Sequence, residues 1–175
     1  IRTNPIRRMI AEDLIKKEIR SWSRDVLEVP SSSFNGFSPC PYAKRAWNKE
    51  MVDVLVTDQL DCVDRIKNQN PPKGEQVKLV AWTGWEDVSA DEFSEWMDKE
   101  NENHQGVWLI GFHPESEEDE QIEEWEGEDA PSYAVILIQS LEHLQRTSKS
   151  LMSRGYYNLH PQNEIKLVTR RNSLC

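Results

Sequence analysis

The sequence predicts an α+β domain: a single mixed β-sheet of four to five strands with helices packed on it, two N-terminal helices preceding a β-α-β-α-β-β-α order. Three observations carry this expectation. Apolar residues recur at helical steps from Pro5 to Glu28. Four short apolar runs then alternate with polar, helix-like stretches. Between the third and fourth runs there is no helical pattern, only a block of acids, so those two strands should be antiparallel while the others join through helices as parallel neighbours.

Each element has its own signal. Ile6, Met9, Ile10, Leu14, Ile19, Trp22 and Val26 fall at three- and four-residue steps, which is a helix with one apolar face. Pro5 suits its first turn. "VPSSSFNGFSP" follows with the Pro, Ser, Asn and Gly of a long loop. A second, short helix should begin near Pro41, run through Ala46 and Trp47, and stop near Lys49. "MVDVLVTD" reads as the first strand, "QLDCVDRIKNQ" as a helix with Leu60, Val63 and Ile66 on one face, and "QVKLVAW" as the second strand. Ser89 and Glu92 are spaced as a capping box and should open a helix that turns Phe93, Trp96 and Met97 inward. "GVWLIGF" and "SYAVILI" are the third and fourth strands. Ser140 caps a helix that ends at Gly155. "IKLV" near the end reads as a short edge strand, the optional fifth.

No repeat or linker divides the chain, so residues 1–175 are expected to form a single domain, carrying an acidic mobile segment at about 115–130. Of the 31 acidic residues, ten lie between Glu115 and Asp129, and the other 21 match the 21 Lys and Arg in number. The net charge of −10 is therefore local. It argues against a nucleic-acid groove near that segment, because phosphates are repelled. No apolar run approaches the ~20 residues of a membrane span. No secretory h-region is visible. The three cysteines, Cys40, Cys62 and Cys175, match neither a disulfide framework nor a zinc site, which implies a reducing, cytoplasmic setting.

The most specific stretch is "SFNGFSPCPYAKRAW", from Ser33 to Trp47. Cys40 lies between two prolines at the start of the second helix, with Lys44 and Arg45 within about a turn. Unsatisfied N–H groups and positive charge favour a thiolate there. Two readings of Cys40 stand: a reactive thiol, or a small residue that pins the preceding loop to the core. His113 leaves the end of the third strand, where functional side chains gather in open sheets. A Cys40–His113 pair, with Lys44 beside it, would make a nucleophile and its base. Tyr42 and the two tryptophans of "VAWTGWED", Trp82 and Trp85, are candidate ligand-binding walls. No metal-ligand spacing, phosphate-cradling glycine pattern or nucleophile elbow is present, and no cofactor is named by the sequence. "RRNSL" has the form of a basophilic kinase site and is read as chance in a basic tail.

Two resemblances rest on these residues. Cys40-Pro41-Tyr42 resembles the start of the glutaredoxin motif Cys-Pro-Tyr-Cys, with Ala43 where a resolving cysteine would stand. Trp22, then Cys40-Pro41-Tyr42-Ala43-Lys44, then Phe112-His113-Pro114 resemble an uncharacterised bacterial domain family with a Trp-bearing N-terminal helix, Cys-Pro-Phe-Ala-Lys and a later Phe-His-Pro. That resemblance implies a similar α+β fold and supplies no activity. The expected function is a small-molecule enzyme that depends on Cys40. The alternative is a non-catalytic adaptor whose acidic segment binds a basic protein surface. The sequence is silent on oligomeric state.

Overall fold

The computed structural model describes residues 5–116 and 133–175. Helix α1 (Pro5–Trp22) runs on into one π-turn at Ser23–Leu27. A 3-10 turn at Ser32–Phe34 leads to the short α2 (Ala43–Asn48). Then come β1 (Val52–Thr57), α3 (Asp61–Gln69), β2 (Val77–Trp82), α4 (Ala90–Glu102), β3 (Val107–Phe112), β4 (Ala134–Ser140), α5 (Leu141–Ser153) and α6 (Gln162–Asn172). No described helix is long and apolar enough to cross a membrane.

The four strands form one mixed sheet in the order β1-β2-β4-β3. β1 and β2 are parallel, and β4 runs antiparallel to both β2 and β3. The alternation of side chains along each strand feeds two cores. Val80 and Trp82 of β2 and Ala134, Ile136 and Ile138 of β4 face α3 and α4, meeting Cys62, Val63, Phe93 and Met97. Leu79, Ala81 and Val135 face the other way, against Ile19 of α1 and Trp47 of α2. β2 and β4 are buried on both faces, which is why they read as nearly continuous apolar runs. A third cluster of Phe34, Leu151 and Tyr156 fastens the 31–37 loop to α5.

The helix ends obey local chemistry. Ser89 and Glu92 form the expected reciprocal capping box at α4. The Ser140 hydroxyl accepts the His143 N–H at the start of α5. Gly155, at φ 87°, ends the region after α5 in a conformation that L side chains resist. At the other end of α4, the Lys67 ammonium donates to the Glu100 and Asn103 carbonyls and pairs with the Glu100 carboxylate at 2.8 Å. Lys67 is thus a buried cation with its charge and donors satisfied.

Two expectations differ: β2 and β3, joined through α4, are not neighbours because β4 lies between them, and one element changes type. "IKLV" is not an edge strand; Ile165–Val168 lie inside α6. Ile165, Val168 and Arg171 recur every three residues along one side. Glu164 in the first turn and Arg170 and Arg171 in the last complement the helix dipole. Those signals outweigh the β-branched content of a four-residue window. The described sheet therefore has four strands.

Candidate functional site

Cys40 is held from two sides. In the π-turn that ends α1, the Glu28 N–H donates to the Ser23 carbonyl at 2.9 Å. The Glu28 carboxylate accepts from the Ser23 hydroxyl and from the Arg20 guanidinium. This fixes the Leu27 carbonyl, which accepts the Cys40 N–H at 3.0 Å. On the far side the Tyr156 hydroxyl donates to the Pro39 carbonyl. π-turns inside helices often mark functional sites, because the extra residue re-aims the chain. Here it turns α1 so that Leu27 can receive the cysteine.

Two cavities meet at this point. The smaller, about 60 Å³, lies between α1, α2 and the sheet and is lined by Trp22, Cys40, Tyr42, Leu79, Gln139 and His143 among others. The larger, about 520 Å³, is an open groove along the free edge of β3. Its walls are α4, through Phe93 and Met97, and α6 with the turn before it, through Tyr157, His160 and Arg171. Leu27, Cys40, Leu137 and Gln139 line both. Cys40 therefore sits in the partition between a small apolar chamber and a wide groove.

The electrostatics of the thiol reverse the sequence expectation. The N–H groups of Tyr42 and Ala43 do favour the thiolate, as a helix start should, but burial outweighs them and pushes the Cys40 thiol up, with the Glu28 carboxylate adding to the rise. Lys44 is exposed and lines neither cavity. Arg45 is spent on Glu75 at 2.9 Å. Neither cation compensates the desolvation.

His143 enters the small chamber from the first turn of α5, and its ring lies edge-on to Tyr42, with centroids 6.4 Å apart. Burial lowers its pKa, Arg146 lowers it further, and Glu75 opposes the drop. The imidazole is therefore neutral at pH 7. This has a consequence for stability. As pH falls past about 6.5, the unfolded chain takes up the proton before the folded one does, so the His143 contribution is present above that pH and is lost as pH falls through the lower folded value. Urea unfolding at pH 7 and pH 5 should show a smaller acid-induced loss for His143→Gln than for the parent. Equal losses would mean that the imidazole does not feel its cavity.

His113 is not part of this site. It is 5% exposed, its Nδ1 accepts the Glu115 N–H, and its Nε2 lies 2.8 Å from the Val88 carbonyl. With Nδ1 accepting, the ring donates from Nε2 to the Val88 carbonyl. The ring packs against Trp85 and Phe93, on the α4 side of the sheet. Cys40 lies on the other side, near Val77, Leu79 and Gln139, and His113 lines neither cavity. The expected convergence fails because α2, six residues or about 9 Å long, cannot run back along β1. Cys40 stays near the N-terminal half of the parallel strands, whereas His113 leaves their C-terminal end. Trp82 stacks on Phe93 and gives its indole N–H to the Asp58 carbonyl, while Trp85 packs on the same core and on His113. Of the residues expected at the site, the structure brings together Cys40 and Tyr42 and leaves Lys44, His113, Trp82 and Trp85 outside.

Sequence reasoning missed His143 and Gln139. The available signal was the Ser140 cap, which fixes the phase of α5 and with it the direction of His143. The acidic segment lies outside the described residues apart from Glu115 and Ser116. Among the described residues no three His, Cys, Asp or Glu side chains gather as a metal site requires. Comparison with family models, curated proteins and solved structures returns no match.

Proposed function

We propose that the chain binds a small, largely apolar molecule at the junction of the two cavities and acts on it through the Cys40 thiol, with His143 as the base. The observation that carries this reading is the position of Cys40 in the wall shared by the groove and the chamber, with a neutral imidazole lining the same chamber. A thiol whose pKa is raised is a poor nucleophile by itself at pH 7. A neutral imidazole in the same small chamber can accept its proton when substrate is bound, which is the logic of a cysteine–histidine nucleophile. The chamber supplies apolar walls with few polar groups, the usual make-up of a small-molecule site.

Chloroacetamides that share one warhead but carry methyl, benzyl or phenethyl bodies test this. Cys40 labelling, read by peptide mapping, should accelerate at least tenfold with the larger apolar bodies, relative to their reaction with a free thiol. Cys62, 2% exposed on the buried face of α3, should stay unlabelled. Rates that follow intrinsic reactivity alone would remove the binding site from the reading.

The second reading is an adaptor that binds a basic protein surface through the acidic segment. One feature favours it: burial pushes the Cys40 pKa up, against a thiolate. In that case Cys40 serves to fasten the loop, and Cys40→Ala should change stability but no chemical activity.

A further inference from the structure

Arg171 is the second buried cation of the described chain, and it is built unlike the first. Lys67 has a carboxylate and two carbonyls. Arg171 is 8% exposed, and its guanidinium donates to the Ser148 hydroxyl. The Tyr157 phenol also lies against it, and burial pushes its pKa down. Among the described residues no carboxylate pairs with it. Its Nε is buried with no hydrogen-bond acceptor. A buried guanidinium remains charged at pH 7, and a buried charge without a counter-charge is costly. The fold nevertheless holds it firmly: the Gln145 amide donates to the Arg171 and Leu174 carbonyls, locking the last turn of α6 to α5.

Arg171 lines the same groove as Cys40. The aromatic rings of Tyr156, Tyr157 and His160 line the groove as well. The acid of the groove's α6 wall is Glu164, seven residues back along the helix and so about 10 Å along its axis.

We propose that the groove takes a small organic carboxylate, an acid with an apolar or aromatic body, whose carboxylate is received by Arg171. This rests on the reading of the groove as part of the ligand site and names the substrate class for it. The counter-charge that no described residue provides is supplied by a single carboxylate, the group that guanidinium geometry fits best. The apolar body lies along the β3 edge, towards Cys40. The acid is thus the handle, and the far end of the molecule is what the thiol meets.

The test compares hexanoate and 3-phenylpropanoate with their primary amides, which have the same shape and no charge. Binding to the full chain is followed by titration calorimetry and by the Arg171 Nε–Hε resonance. The acids should bind at least tenfold more tightly than the amides and move that resonance. Arg171→Gln should abolish the preference, and Arg171→Lys should keep part of it. Equal affinities, an acid preference that survives Arg171→Gln, an unmoved resonance, or no binding at millimolar concentration would each overturn the proposal. Should the variants fail to fold, the acid–amide pair and the Arg171 resonance decide on the parent protein. If body-dependent labelling of Cys40 holds while acids and amides bind alike, only the carboxylate assignment fails. If both experiments are negative, the groove is no ligand site.

Discussion

Asn101→Ala lowers stability by about 2–4 kcal/mol, because two buried backbone groups lose their partners at once. Asn101 sits near the end of α4, and its side-chain amide bonds Leu109 of β3 twice. Its nitrogen donates to the Leu109 carbonyl at 3.0 Å, and its oxygen accepts the Leu109 N–H at 2.8 Å. The amide takes the place that a neighbouring strand would occupy at the free edge of the sheet. It thereby blocks the middle of that edge against another chain. The variant should unfold at lower urea and sediment with a steeper concentration dependence than the parent. A change below about 1 kcal/mol would show that water replaces the amide without cost.

His113→Ala costs more, at about 3–5 kcal/mol, and lowers the thermal midpoint by roughly 2–4 °C for each kcal/mol. It removes a buried ring from between Phe93 and Trp85, and it strands the Val88 carbonyl and the Glu115 N–H. Labelling of Cys40 at a temperature where the variant is folded should match the parent. A selective loss of Cys40 reactivity with little change in midpoint would reinstate a Cys40–His113 pair.

Much of the architecture could be read from local patterns, for reasons visible in particular residues. Ser89 with Glu92, Ser140 and Gly155 are signals whose physics is complete within a few residues, and each marks its boundary in the structure. The antiparallel β3–β4 pair followed from the lack of a helical pattern in the sequence between them. "IKLV" misled because a four-residue window weighs β-branched content above the spacing of Ile165, Val168 and Arg171. The site was harder to read. Its partners belong to segments about a hundred residues apart, and the expectation of His113 depended on which way α2 runs. Asn101 and Arg171 gave no warning at all: an Asn in a polar helix end and an Arg in "RRNSL" look like solvated residues until the packing is known. The sign of the Cys40 shift was likewise hidden, since the helix start is local and the burial that outweighs it is tertiary.

The pH dependence of Cys40 alkylation by iodoacetamide, in the parent and in His143→Gln, bears most directly on the proposed pair. When a thiol passes its proton to a neighbouring imidazole, the reactive thiolate–imidazolium form keeps a constant population between the two pKa values. The parent rate should therefore level off between the lowered value of His143 and the raised value of Cys40. His143→Gln should lose the plateau and rise about tenfold per pH unit across that range, as an isolated thiol does. A parent profile that already rises tenfold per unit, and overlays that of His143→Gln, would contradict a Cys40–His143 pair and leave the cysteine as a fastening for the loop.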